Sequence, residues 1–298
     1  MNEIQAIYSI APFPQTVSER AHRFLTSPPG VKWLLIARRF KRWFPGLPLP
    51  VQLRFGAWWL IRGGALDSGI LSGGFENPEA RFVRRFLKPG MVVVDAGAHH
   101  GLYTLLGSIC VGELGVVFAF EPSPRERIRL REHVRLNGCS NVRIESLALG
   151  PSRREEDMFL VEGSEDYCNS LRPPVVQAGT TRVRVNVTSL DDFFCHGERV
   201  DFVKLDVEGA ELGVLQGAQR LLSAKPRPVL LVEVFDIRTQ PWGYHAREIV
   251  SSLAVKEYCW FGLLDDGGLT KVSPDLQRYD CNLVAIPNER VSEVINHG

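Results

Sequence analysis

Residues 91–95, MVVVD, constrain the fold more than any other stretch of the chain. Four apolar residues, three of them consecutive valines, run without alternation into a carboxylate, and Pro89-Gly90 turns the chain into them. A β-branched run of this kind reads as a strand covered on both faces. Strands covered on both faces belong to parallel sheets, whose crossovers place helices above and below. The remainder of the chain keeps that rhythm. Strands are expected at 115–120 (GVVFAF), 141–146, 202–206, 229–234 (VLLVEV), 258–263 and 282–286. Helices are expected from about Leu102, at 124–137 with Asn137-Gly138 as the stop, at 210–222 and at 245–253. Residues 151–191 break the rhythm, with 158–161 and 183–187 reading as a hairpin or edge strands around a polar loop.

In a parallel sheet, ligands bind at the carboxyl ends of the strands where strand order reverses, so the residues that follow strand ends are the informative ones. The first strand runs into Asp95-Ala-Gly97-Ala-His-His-Gly101. Glycines there let the backbone turn sharply and approach a ligand closely, and the next helix offers free N–H groups. The spacing Asp-x-Gly-x-x-x-Gly differs from the GxGxxG of nicotinamide-binding loops. An acid opening the loop suits a ligand bearing an ammonium group, such as the amino acid end of S-adenosylmethionine. Glu121, at the end of the second strand, can accept from both hydroxyls of a ribose.

These segments, with others, resemble the FkbM-type methyltransferases. The resemblance rests on Phe75-Glu76, on 93–101 (VVDAGAHHG) with Tyr103-Thr104, and on Phe120-Glu121-Pro122. It continues through Ala148-Leu149-Gly150, Thr188 to Asp192, and 201–211 (DFVKLDVEGAE) running into Val214-Leu215-x-Gly217-Ala218. It covers roughly residues 75–287. It implies an α/β fold of the Rossmann-like, seven-stranded, mostly parallel kind, with helices on both faces. It also implies S-adenosylmethionine as cofactor, with Asp95, Gly97, Ala98, His99, Gly101, Thr104, Glu121, Pro122 and Ala148 around it. Hydroxyl methylation of a small molecule or saccharide is the implied reaction. The family usually has Asn-Ile where this chain has His99-His100; adjacent side chains rarely converge on one ion, so a loop or cofactor contact is the reading for His99.

Methyl transfer to a hydroxyl requires alignment and a base. Asp206 ends the fourth strand, Glu208 follows, and Glu233 lies in the fifth, so these three are the catalytic candidates. Each has a plainer reading: Glu208 and Glu211 as first-turn acids, Asp206 as a helix cap, Glu233 as a buried acid paired with Lys204. A Mg²⁺ held by Asp206 and Glu233 is a further reading, for which no clear third ligand is present. Acceptor choice is expected from a lid at 164–181 and the turn 241–245. Trp242 and Tyr244 there would either stack on a sugar ring or cover the core.

The 298 residues carry a net charge of +1, which argues against a field that gathers nucleic acid. Six cysteines, none spaced as CxxC, read as reduced thiols of a cytoplasmic protein. The N-terminus lacks the regions of a signal peptide, and no apolar run reaches the roughly 18 residues of a membrane span. A division into a cap segment, 1–74, and a methyltransferase domain, 75–298, is expected. Residues 1–64 hold nine Lys/Arg (Arg20, Arg23, Lys32, Arg38, Arg39, Lys41, Arg42, Arg54, Arg62) against Glu3 and Glu19. In 31–44 (VKWLLIARRFKRWF), Trp33, Ile36, Ala37, Phe40 and Trp43 fall on one helical face. That is either an interfacial helix touching membrane or a cap over the core. A peripheral membrane or partner-binding protein that keeps the cofactor fold is therefore the alternative function.

Overall fold

A computed structural model describes residues 36, 39–40, 42–44, 47–72, 78–163, 168–176, 178–273 and 276–296. Phe75-Glu76, Trp33, Ala37 and residues 164–167 of the expected lid lie outside the described residues. The chain divides into two compact units, Met1–Glu76 and Asn77–Gly298.

In the first unit β1 (Leu49–Gln52) and β2 (Trp58–Ile61) pair antiparallel, from Leu49 opposite Ile61 to Gln52 opposite Trp58. Helix α1 (Ala65–Ser72) follows. Asp67, in its first turn, ties the two together. Its carboxylate accepts from Trp59 Nε1 at 2.8 Å and from the backbone N–H groups of Arg62 and Gly63.

The second unit opens with α2 (Pro78–Phe86) and then builds an eight-stranded sheet. Strand β3 (Val92–Ala96), helix α3 (Leu102–Val111), β4 (Val116–Phe120), α4 (Pro124–Leu136) and β5 (Val142–Glu145) are the first crossovers. Ser123 caps α4 by accepting from Glu126 N–H, Pro124 pre-sets its first turn, and Asn137 closes it. The chain then leaves the main sheet. Strands β6 (Leu147–Leu149), β7 (Arg154–Val161) and β8 (Thr180–Thr188) form a separate three-stranded sheet, with β7 and β8 antiparallel along their length. That explains the broken rhythm of 151–191: its strands alternate in burial because one face is polar.

The short helix α5 (Leu190–Phe193) leads back to β9 (Phe202–Leu205), α6 (Glu211–Gln216), β10 (Val229–Phe235), α7 (Asp236–Thr239) and α8 (Arg247–Ala254). Strands β11 (Tyr258–Leu263), β12 (Leu269–Lys271) and β13 (Asp280–Pro287) precede the last helix, α9 (Val291–Asn296). The sheet order is β12-β11-β13-β10-β9-β3-β4-β5, with β13 antiparallel to β10. All seven expected strands are in it, and the three-residue β12 adds an eighth at the edge. This is the expected Rossmann-like architecture. Helix α6 is shorter than the expected 210–222. It stops at Gly217, where an added Cβ would lie 2.3 Å from Gly150 O, so glycine is what fits at this end.

Strand order reverses between β3 and β9, since the chain runs outward from β3 through β4 and β5 and returns at β9. The carboxyl ends of those two strands therefore flank a crevice. Below it lies a core built from Val94, Ala96, Phe120, Val203, Leu205, Leu230, Val232 and their neighbours.

Candidate active site

Strands β3 and β9 are in register with Asp95 opposite Lys204 and Ala96 opposite Leu205. Both strands end there, and the loops beyond them touch. An added Cβ on Gly97 would lie 1.8 Å from Asp206 O, and Gly97 has φ +80. Only glycine has room there, and only glycine adopts that backbone without penalty. Gly97 and Ala98 donate their N–H groups to Phe120 O, which lays the loop across the end of β4. Ala98 turns its methyl down against Ala119 and Leu130, so its role is packing beneath the loop.

Asp95 is buried. Thr104 Oγ1, also buried, donates to its Oδ2 at 2.6 Å, while Oδ1 has no partner. Burial raises the Asp95 pKa, and the nearby Lys204 ammonium and Thr104 work against that rise. Glu121 is buried as well, and its two oxygens accept from the N–H groups of His99 (2.7 Å) and Ser123 (2.8 Å). Burial pushes its pKa up to about 7. The carboxylate thus braces the glycine loop, with lone pairs to spare for a ligand. Pro122 follows it, and Arg127 donates to its carbonyl.

His99 has φ 50, a left-handed conformation that Asn and His tolerate better than most residues. That is a physical reason for the family's asparagine at this position. Its ring stacks on His100 at 3.7 Å, and burial pushes its pKa down to about 3. His100 Nε2 lies 2.6 Å from Glu126 Oε2, and His133 Nδ1 lies 2.7 Å from His100 O. The Nε2 atom of His99 comes no closer than 3.7 Å to the same Glu126 oxygen. One ligand atom each of His99, His100 and Glu126 lies within 4.8 Å of the others, so the two adjacent imidazoles do converge on a carboxylate. Gly101, φ +94, sits against Leu130, where a Cβ would come within 2.5 Å of Cδ1. Ala148 lies in β6 and packs with Met158, Leu160 and Val187 in the core of the small sheet.

Across the crevice, Asp206, Glu208 and Glu233 each have a carboxylate oxygen within 4.8 Å of the others. Lys204 Nζ donates to Asp206 Oδ2 at 2.5 Å. Burial works against the lysine's charge, and Asp206 and Asp95 outweigh it and raise its pKa. The expected pairing of Lys204 with Glu233 is thus taken instead by Asp206. Nor does Asp206 cap α6: Ala210 stands at that cap, and Asp206 N–H goes to Ala96 O. Glu208 meets Arg238 Nε at 3.1 Å, yet burial and Asp206 push its pKa up to about 8. Burial and the neighbouring acids raise Glu233 well above the ordinary range, and its Oε2 has no partner.

The loop between β9 and α6 is held from three sides. Glu211 Oε1 accepts from Val207 N–H (2.9 Å) and Gly209 N–H (3.3 Å). Tyr244 OH donates to Gly209 O at 2.7 Å, and Trp242 Nε1 donates to Glu208 O at 3.2 Å. Ser170 Oγ donates to Glu208 O at 2.8 Å, and the Arg172 guanidinium lies 4.6 Å from the Trp242 ring centre. Of the two roles open to Trp242 and Tyr244, bracing is therefore the one their contacts describe. Sequence reasoning missed Glu211 as a loop anchor and Lys204 as the partner of Asp206. The second was available from strand periodicity, because residues i and i+2 share a face.

A model of the Methyltransferase FkbM domain matches residues 95–258. A curated protein, "Methyltransferase 1" of Beauveria bassiana, is 31% identical over 147 residues, covering 42% of this chain and 57% of its own. The chain thus spans little more than half the length of that relative. Among solved structures, methyltransferase FkbM from Methylobacillus flagellatus is 19% identical, with TM-score 0.42 over 74% of this chain and 53% of that one. An S-adenosylmethionine-dependent O-methyltransferase from Thermotoga maritima is 15% identical, with TM-score 0.41 over 82% of this chain and 78% of its own.

Proposed function

Since the chain belongs to the FkbM family of methyltransferases, we propose that it transfers the methyl group of S-adenosylmethionine to a hydroxyl of a small molecule or saccharide. The observation that carries this reading is the contact of Gly97 with Asp206, which sets the glycine loop against the acidic cluster. The cofactor fits the loop on the chain's own terms. Asp95 Oδ1 is a buried acceptor without a donor, suited to an ammonium, and Glu121 retains lone pairs for ribose hydroxyls. When bound, S-adenosylmethionine supplies an electrophilic methyl group. Asp206 has one oxygen on Lys204, which leaves Oδ1 to accept the proton of the acceptor hydroxyl. Glu208, pushed up to about 8 by burial and Asp206, and Glu233, raised by burial and the neighbouring acids, flank that position and orient the acceptor.

The mutual approach of the three carboxylates supports a second reading, a divalent cation that lowers the hydroxyl's pKa. Lys204 and Arg238 already engage Asp206 and Glu208, which favours the direct role. Asp206→Asn is expected to keep S-adenosylmethionine affinity within a few-fold by titration calorimetry and to lower kcat by roughly 10²–10⁴. Full activity in EDTA would exclude the cation. Normal kcat in Asp206→Asn would sink both readings.

A further inference from the structure

The glycine loop carries a second cluster of ligating side chains, which the methyl-transfer reading does not use. Its members are two imidazoles and a carboxylate, those of His99, His100 and Glu126. His99 Nε2 and His100 Nε2 both face Glu126 Oε2, at 3.7 and 2.6 Å. Glu126 is the third residue of α4 after its cap, Ser123, a position from which a glutamate ordinarily reaches back to the cap's own N–H. Here that N–H goes to Glu121 Oε1 instead, and the Glu126 carboxylate is released toward the histidines. Arg125 Nε and, at 3.2 Å, Asn169 Nδ2 donate to its Oε1, which turns Oε2 toward the two rings.

A buried histidine–glutamate pair does not account for all three residues. His100 and Glu126 satisfy each other, but His99 Nε2 is buried against the same oxygen and has no hydrogen-bond partner among the described residues. A buried polar atom of that kind calls for a water or an ion. Two imidazole nitrogens and one carboxylate oxygen are a donor set of zinc and its borderline neighbours, with a fourth tetrahedral position left for water. Metal–ligand bonds of about 2.0–2.2 Å put neighbouring donor atoms roughly 3.4 Å apart. The 3.7 Å separation lies within a few tenths of that. The 2.6 Å separation opens by about 0.8 Å when an ion takes the place of the proton between His100 and Glu126. The His99 side chain keeps 21% exposure, which gives the ion a path from solvent. We propose that His99, His100 and Glu126 form a site for zinc or a similar divalent transition-metal ion, which pins the glycine loop to helix α4. The Asn-Ile usual in the family at positions 99 and 100 supplies no such pair of nitrogens, so the site is a property of this chain.

The test uses the full chain, stripped of metal and carrying no histidine tag, titrated with Zn²⁺ by calorimetry and with Co²⁺ by visible absorption. One ion bound per chain and the spectrum of tetrahedral cobalt are expected. His99→Asn with His100→Ile, the pair usual in the family, should abolish binding while the circular dichroism spectrum stays unchanged. Should that variant fail to fold, Glu126→Gln, which keeps the side chain's size, carries the same expectation. Asn169→Ala, which removes a donor orienting Glu126, should weaken binding roughly 10- to 100-fold. Asp206→Asn should leave it in place. Absence of zinc binding overturns the proposal, as does binding that survives in the folded loop variant. A thiolate-to-cobalt charge-transfer band would put the ion on cysteines, and zinc lost with Asp206→Asn would put it on the acidic cluster; either result overturns the proposal too. None of these readouts depends on methyl transfer.

Discussion

Lys204 is the residue on which the two halves of the site converge. It stands opposite Asp95 in the sheet register, donates to Asp206, and places its ammonium 5.1 Å from the Tyr103 ring centre. Its removal leaves a buried carboxylate on one side and a half-buried one on the other without their cation. Such a loss costs about 3–5 kcal/mol in a dry interior, and the partial exposure of Asp206 screens it toward the lower end, about 3 kcal/mol. Lys204→Met is therefore expected to melt earlier and also to lower kcat, because Asp206 loses the donor that holds its carboxylate in place. An unchanged kcat in a folded Lys204→Met would reduce the residue to a structural role. Asp95 and Glu121 were readable as site residues from their places after strands. Their commitments to Thr104 and to the backbone of the glycine loop were not, because side-chain partners come from across the fold.

At the scale of the element, the 206–210 loop behaves as a unit that its neighbours hold in shape. Glu208 has φ 55 and Gly209 φ +94, so two consecutive residues are left-handed, and a Cβ on Gly209 would meet Arg238 O at 2.2 Å. A non-glycine residue pays for that conformation in steric energy, and the hydrogen bonds from Glu211, Tyr244, Trp242 and Ser170 offset it. Tyr244→Phe deletes one of these, the bond to Gly209 O. The expected result is a loss of about 1 kcal/mol in chemical unfolding. We expect kcat to fall while S-adenosylmethionine affinity holds, because the glycine loop is anchored separately at Phe120 and Glu121. Kinetics and calorimetry on the same preparation check both parts, and a weakened cofactor with unchanged kcat would contradict the assignment.

For the whole molecule, the buried acids at the sheet's carboxyl edge impose a pH dependence of stability. Burial raises Glu121 and Glu211 to about 7 and Glu208 to about 8, and raises Glu233 as well. Between their ordinary pKa of 4.5 and these values the folded chain binds more protons than the unfolded one. The unfolding free energy therefore falls as pH rises through that window. The acid side has the opposite slope. Burial lowers His99 to about 3, so its contribution is lost as pH falls from 6.5. For Glu126, burial is outweighed by the His100 hydrogen bond and the nearby histidines, and Arg227 holds Glu289; both stand at about 2 and lose their contribution below 4.5. Above pH 4.5 the four raised acids outweigh the single histidine, so thermal melts of the ligand-free chain should show maximal stability near about pH 4.5, declining toward pH 8. Glu208→Gln should flatten the alkaline limb, and a melting temperature that climbs from pH 6 to 8 would contradict the burial of these acids.

By itself the sequence determined the parallel sheet, because unalternating valine-rich runs have only one stable environment, and it determined which residues follow strand ends. It also marked the glycine loop and the acids of the DVEG segment, since those depend on local backbone demands that residue type states directly. Tertiary structure alone decided the pairings. Whether Lys204 serves Asp206 or Glu233, whether Trp242 faces a ligand or a carbonyl, and how closely Gly217 approaches Gly150 all depend on what a distant segment brings alongside. The separate small sheet of β6, β7 and β8 belongs to the same class, because strand alternation shows that a face is polar and not which sheet the strand joins. Close approach is the common physical reason: a 1.8 Å conflict between an added Cβ on Gly97 and the carbonyl of Asp206 exists only once residues more than a hundred positions apart have been folded together.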